Sequence, residues 1–142
     1  MGVISGEGLL RLPVTLRGIR LGQPVDLLLD LVDRHALGLV VLCRDETYRF
    51  LPWAAVQADD DEIRVASPLM LLEDVDFYRA RSDSFRALLG GVVRRHGAQV
   101  GALHDVELER TGKVAGVAVT RDGVEERLDA EGTSLSSERA AA

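Results

Sequence analysis

Lysine, cysteine and aromatic side chains are all scarce in this 142-residue chain, and each shortage removes something. Cys43 is the only cysteine, so no internal disulfide can form, and a stapled secreted scaffold is excluded. It sits in the run Val40-Val41-Leu42-Cys43, where a buried small hydrophobe is the natural reading. Aromatic residues make up only 4%, so any core must rest on Leu, Val and Ala. Long apolar runs are absent too. The longest, Ala36 to Cys43, spans eight residues, where a membrane helix needs roughly 20. The start, Met1-Gly2-Val3-Ile4-Ser5-Gly6-Glu7, has neither a positive region nor an apolar stretch, so a signal peptide is not expected. The expectation is a soluble, cytoplasmic protein.

Of the 17 basic residues only Lys113 is lysine, leaving 16 arginines, and the net charge is −6. Residues 1–81 hold thirteen acids and nine bases, and residues 82–142 hold ten and eight, giving −4 and −2. Neither part is basic, which disfavours nucleic acid, whose phosphates are held by counterion release.

What is there reads as strand. Leu10, Leu12, Val14 and Leu16 alternate with polar residues, although Pro13 restricts that strand to an edge or a bulge. Val25–Val32, Leu37–Cys43, Tyr48–Leu51 and Ile63–Ala66 follow as short runs of strand length. Between 67 and 90 the spacing of Leu69, Leu72, Val75 and Phe77 predicts short helical turns, stopped at Gly90-Gly91. Strands resume over Val92–Arg95, Val100–Glu109 and Val114–Thr120, and Arg121-Asp122-Gly123 signals a hairpin. From about Ala130 onward the sequence loses periodicity and predicts disorder.

The chain also matches itself. At an offset of 79, Gly18, Gly22 and Asp26 fall on Gly97, Gly101 and Asp105; at 78, Gly38 falls on Gly116. A one-residue slip inside a turn is what two divergent β-units produce. The predicted organisation is therefore mainly β: a divergent unit over 8–70, a linker with short helical turns over 71–90, a second and incomplete unit over 91–130, and a disordered tail over 131–142.

Residues 88–119 carry a family resemblance. Leu88-Leu89-Gly90, Val92-Val93, Gly97, Val100-Gly101-Ala102-Leu103-His104-Asp105-Val106 and Gly112-Lys113-Val114 run strand, glycine turn, strand, "GKV" turn, strand. This resembles the PRC-barrel family, named for the photosynthetic reaction-centre H subunit and shared with a ribosome maturation factor. Gly22, Asp26 and the segment Phe50-Leu51-Pro52-Trp53 with Val56 are similar to it in the first copy. The second copy shows no clear counterpart of Leu51-Pro52-Trp53. The resemblance implies two small tandem barrels acting as a non-catalytic adaptor that binds other macromolecules, chiefly proteins.

Candidate chemistry is thin. His35 and His96 fall in turns, and His104 in a strand whose neighbours point to opposite faces, so no metal set is expected. Asp59-Asp60-Asp61-Glu62 lacks the alternating ligands and glycine of a calcium loop and reads as a solvated turn. No nucleophile elbow or phosphate-binding glycine loop occurs. The expectations are no enzyme activity, no cofactor, and structural roles for Gly18, Gly22, Asp26, Gly38, Gly97, Gly101, Asp105 and Gly116. Trp53, Arg94, Arg95 and Val124 are the candidate partner contacts, and a homodimer through an open edge near Val124 is one outcome. The competing class is a barrel that binds a small ligand or acts on an unknown substrate; a large apolar pocket with inward polar groups would favour it.

Overall fold

Three tight turns set the register of the strands. Arg17-Gly18, His96-Gly97 and Asp122-Gly123 each take two successive positive φ values (51 and 81°, 51 and 84°, 53 and 78°). That geometry matches the twist of a two-residue hairpin, and glycine reaches it without cost at the second position.

A computed structural model describes residues 2–139. Its elements begin with β1 (Ile4–Ser5), α1 (Gly6–Leu10), β2 (Val14–Leu16), β3 (Ile19–Asp30), β4 (His35–Cys43) and β5 (Tyr48–Pro52). Two short strands, β6 (Gln57–Ala58) and β7 (Ile63–Arg64), precede α2 (Val75–Arg79), β8 (Asp83–Ser84) and α3 (Phe85–Leu88). Then come β9 (Gly91–Arg95), β10 (Ala98–Leu108), β11 (Val114–Arg121), β12 (Val124–Asp129) and β13 (Thr133–Arg139).

The fold is mainly β and consists of two sheets. The first has the order β5-β4-β3-β2-β7-β6, with β8 against β3; the second runs β12-β11-β10-β9-β13, with β1 against β10. Neither closes into a barrel, because the edge strands of each sheet pair with nothing at the opposite edge. Among the described residues no helix is long and apolar enough to cross a membrane.

The two sheets are stitched by exchange. β1 pairs with β10 and β8 with β3, so the short strand leading into each hairpin is handed to the other sheet. The helix following each is capped in the same way: Ser5 Oγ accepts from Gly8 N–H at 2.9 Å, and Ser84 Oγ from Ala87 N–H at 3.2 Å. Across the junction, Asp105 Oδ1 accepts the Glu7 amide at 3.1 Å while Asp26 Oδ1 accepts the Arg86 amide at 3.2 Å. Glu7 to Arg86 and Asp26 to Asp105 are both steps of 79 residues. A second reciprocal pair joins the starts of β4 and β11: Ala36 N–H donates to Gly112 O, and Val114 N–H to Arg34 O, both at 2.8 Å. Reciprocity of this kind is what a two-fold arrangement requires.

The apolar faces of both sheets meet in one core containing Leu9, Leu27, Leu39, Phe85, Val106 and Val117. A smaller cluster of Leu28, Val40, Phe50 and Val75 covers another part of the first sheet. Tyr78 of α2 stacks on Phe50 there, with ring centroids 3.9 Å apart.

Three expectations are corrected. The alternation at Leu10 and Leu12 does not extend β2; Gly6–Leu10 is helical because Ser5 caps it and Leu9 and Leu10 enter the core. Helix is therefore not confined to the stretch between 67 and 90. The segment from 131 is not a disordered tail: Thr133–Arg139 forms β13, whose Thr133, Ser134 and Leu135 lie opposite Arg95, Arg94 and Val93. The backbone ladder to β9 outweighs the weak side-chain pattern there, and the end of the expected tail, 140–142, lies outside the described residues.

Candidate functional site

The registers of the two sheets place residues in matching positions. In the first, Asp26, Leu27 and Leu28 oppose Val40, Leu39 and Gly38. In the second, Asp105, Val106 and Glu107 oppose Ala118, Val117 and Gly116. The next strands follow suit: Val40, Leu39 and Gly38 face Phe50, Leu51 and Pro52, whereas Ala118, Val117 and Gly116 face Arg127, Leu128 and Asp129. Leu51-Pro52-Trp53 thus has a counterpart in Leu128-Asp129-Ala130, which chemistry alone concealed.

These matching positions behave differently at the sheet edges. Phe50 sits on β5, and its main chain is occupied: Phe50 N–H donates to Leu72 O and Leu72 N–H to Phe50 O, both at 2.8 Å. Arg127 holds the corresponding place on β12, at the end of the second sheet's strand order. In an antiparallel ladder, residues alternate between pairing inward and facing out. Counting from the turn at Asp122-Gly123, Val124 pairs with Arg121, Glu126 with Val119 and Leu128 with Val117. The main-chain groups of Glu125, Arg127 and Asp129 therefore face the open edge. Arg127 itself is held by Glu107 Oε1 at 3.0 Å and by Asp129. Those partners raise the affinity of the guanidinium for its proton, first Asp129 and then Glu107.

Trp53 is 9% exposed and lies within the molecule. Its indole N–H donates to the Arg110 carbonyl at 2.9 Å. A Cβ on Gly112 would come within 2.7 Å of the ring, so only glycine leaves room for the indole. Ala130, its counterpart, is also buried, and beside it lies a cavity of about 190 Å³.

The remaining candidates are scattered. Gly22 and Gly101 allow close strand approach, since a Cβ would meet Leu42 O at 2.5 Å and Thr120 O at 2.7 Å. Gly38 and Gly116 stand opposite Leu28 and Glu107. Arg94 and Arg95 lie on β9 inside the second sheet, flanked by β10 and β13. Arg94 reaches Glu138 at 3.8 Å. Val124 is 67% exposed at the start of β12. Asp26 is buried and accepts from Leu27 N–H at 2.8 Å, from Arg86 N–H and from Ser84 Oγ. Asp105 accepts from Val106 N–H and Glu7 N–H, yet burial pushes its carboxyl above the ordinary range.

Asp59 accepts the Asp61 and Glu62 amides and pairs with Arg64, closing its own turn. His104 Nε2 lies 3.5 Å from Glu125 on the exposed surface. Cys43 borders an open cleft of about 690 Å³ with Arg44 and Arg49, but burial raises its thiol pKa and Arg49 is engaged by Asp45 and Glu73. A thiol pushed up is a poor nucleophile. Among the described residues no three His, Cys, Asp or Glu side chains gather around a metal position. Compared with known protein-family models and with curated proteins, the chain matches none.

Sequence reading missed β13 and the cavity beside Ala130. The signal for the cavity lay in the matching positions of Leu51 and Leu128, which set a tryptophan against an alanine two residues further along each segment.

Proposed function

We propose that this protein is a non-catalytic adaptor built from two PRC-barrel-like copies, and that it docks a partner protein on the open edge of β12. The observation that carries this reading is the contrast between Phe50 and Arg127. Equivalent main-chain groups take Leu72 in one sheet and, among the described residues, no backbone strand in the other. An edge strand with free N–H and C=O groups recruits an extended segment, with main-chain bonds supplying affinity and side chains supplying choice. The charges of Glu125, Glu126, Arg127 and Asp129 blunt indiscriminate pairing and favour a segment carrying basic side chains. The repeat supports common descent of the two sheets, through the shared offset of Asp26 and Asp105 and the reciprocal amides they accept.

Arg127→Pro tests the reading, because it deletes one outward donor from an edge strand, where proline is tolerated. Val124 suits the test less well, since its donor already serves Arg121. Arg127→Ala keeps the donor and serves as the control. Partner recovery by affinity capture should fall with Arg127→Pro and persist with Arg127→Ala, and light scattering separates a second copy of this chain from a different protein. Equal recovery with both variants, with the fold intact, would overturn the reading.

A further inference from the structure

Trp53 shows how one sheet fills a place that the other leaves open. Its indole packs against the β10–β11 turn, over Gly112, and donates to the Arg110 carbonyl. The position matching Trp53 is Ala130, because Leu51 and Leu128 share a register and each is followed by two residues to this point. The turn matching 110–112 is the β3–β4 turn, since Arg34 and Gly112 accept the two reciprocal amides. Leu31, Val32 and Arg34 of that turn line the cavity of about 190 Å³ beside Ala130, together with Val114, Val117 and Leu135. The walls are aliphatic over Leu31, Val114, Val117 and Leu135, with Arg34, Thr133 and Ser134 as the polar members, and Val32 on the rim is 92% exposed. An indole suits such mixed walls: its ring covers the aliphatic side chains, its N–H can reach a hydroxyl, and a guanidinium adds attraction to its face.

We propose that this cavity receives a tryptophan side chain carried on a partner polypeptide, in the place that Trp53 fills internally on the other side. This rests on the adaptor reading, and the cavity is continuous in sequence with the β12 edge: Ala130 directly follows Asp129. A strand pairing along β12 would thereby be anchored at one end by an aromatic group, as extended segments bound at sheet edges are anchored by pockets. Arg34 takes the place of Gly112, so this site has a cation where the internal one has bare backbone.

N-acetyltryptophanamide is the probe, followed by amide chemical shifts of the full chain. Saturable shifts are expected at residues 31–34, 114–117 and 130–135. Ala130→Trp fills the cavity internally and should abolish them. Arg34→Asn removes the cation at a residue with φ of 55°, a conformation asparagine accepts, and should weaken binding severalfold without touching the core. Arg127→Pro should leave probe binding unchanged, which separates this proposal from edge docking. An extended peptide bearing one tryptophan should bind roughly tenfold more tightly than the same peptide with alanine. Absence of saturable shifts at these residues overturns the proposal. So does binding that survives both Ala130→Trp and Arg34→Asn, or a peptide indifferent to its tryptophan.

Discussion

Among the described residues, the β5 edge of the first sheet is bridged at Phe50, and the β12 edge of the second sheet is not bridged at the matching Arg127. Leu28, Val40 and Phe50 of the first sheet make an apolar patch covered by Val75 and Tyr78. The matching positions in the second are Glu107, Ala118 and Arg127, two of which form an ion pair in place of a buried contact. The same division recurs at Trp53 and Ala130, and at the β5 and β12 edges. Where the chain supplies its own cover, the sequence is apolar; where it supplies none, the sequence is charged. On the proposed reading, the covered sheet holds the fold and the bare β12 edge serves association.

That comparison is broken most easily at its aromatic cover. Phe50→Ala should cost about 3–5 kcal/mol, the usual loss for a buried aromatic, read as a lower urea midpoint. Arg127→Ala, at the matching place, should leave the midpoint unmoved, since its ion pairs are exposed and solvent-screened. Equal losses would mean that β12 carries hidden burial. Trp53→Ala should approach the Phe50 loss, because it also orphans the Arg110 carbonyl.

The aspartates sharpen the contrast at smaller scale. Asp26→Ala leaves the buried Leu27 amide, the part-buried Arg86 amide and the Ser84 hydroxyl without their acceptor and should cost about 3 kcal/mol. Asp105→Ala strips two amides in a half-buried site and should cost about 1–2 kcal/mol. Denaturant midpoints that reverse this order would contradict the reading of the first sheet as the more closed.

The smallest effect is with pH. Burial holds the Asp105 carboxyl above its ordinary pKa, against the pull of its two amides. The folded state then binds the proton more tightly than the unfolded one. Its contribution is therefore full below the ordinary carboxylate pKa and is lost as pH rises through the raised folded value. Asp105→Asn keeps an acceptor oxygen and removes the titration, so stability across that acidic window should vary less with pH than in the unaltered protein. An identical pH dependence would show that Asp105 titrates normally.

Much of this was legible in the sequence. Arg121-Asp122-Gly123 announced a hairpin, and Gly18 with Gly97 and Asp26 with Asp105 announced matching positions. Strands β3, β4, β10 and β11 follow apolar runs that few alternatives accommodate. The helix at Gly6–Leu10 was not legible, because its five residues are too short for helical periodicity to show against the alternation that follows. Strand β13 was hidden for a different reason: its run of Ser and Glu has no strand alternation, and it is held by backbone pairing to β9, by buried Thr133 and by Arg139 donating to the Leu89 and Ala87 carbonyls. The exchange of β1 and β8 between sheets leaves no local trace at all, since it depends on contacts about 100 and 55 residues distant.

The most direct measurement is amide hydrogen exchange in the free protein, comparing Phe50 with Arg127. These amides occupy matching places, one donating to Leu72 and the other facing the open edge. Exchange at Phe50 should be slow and exchange at Arg127 close to that of an exposed amide, because protection follows the hydrogen bond. Strong protection at Arg127 in dilute monomer would mean the edge is already closed within the chain, and would contradict the account.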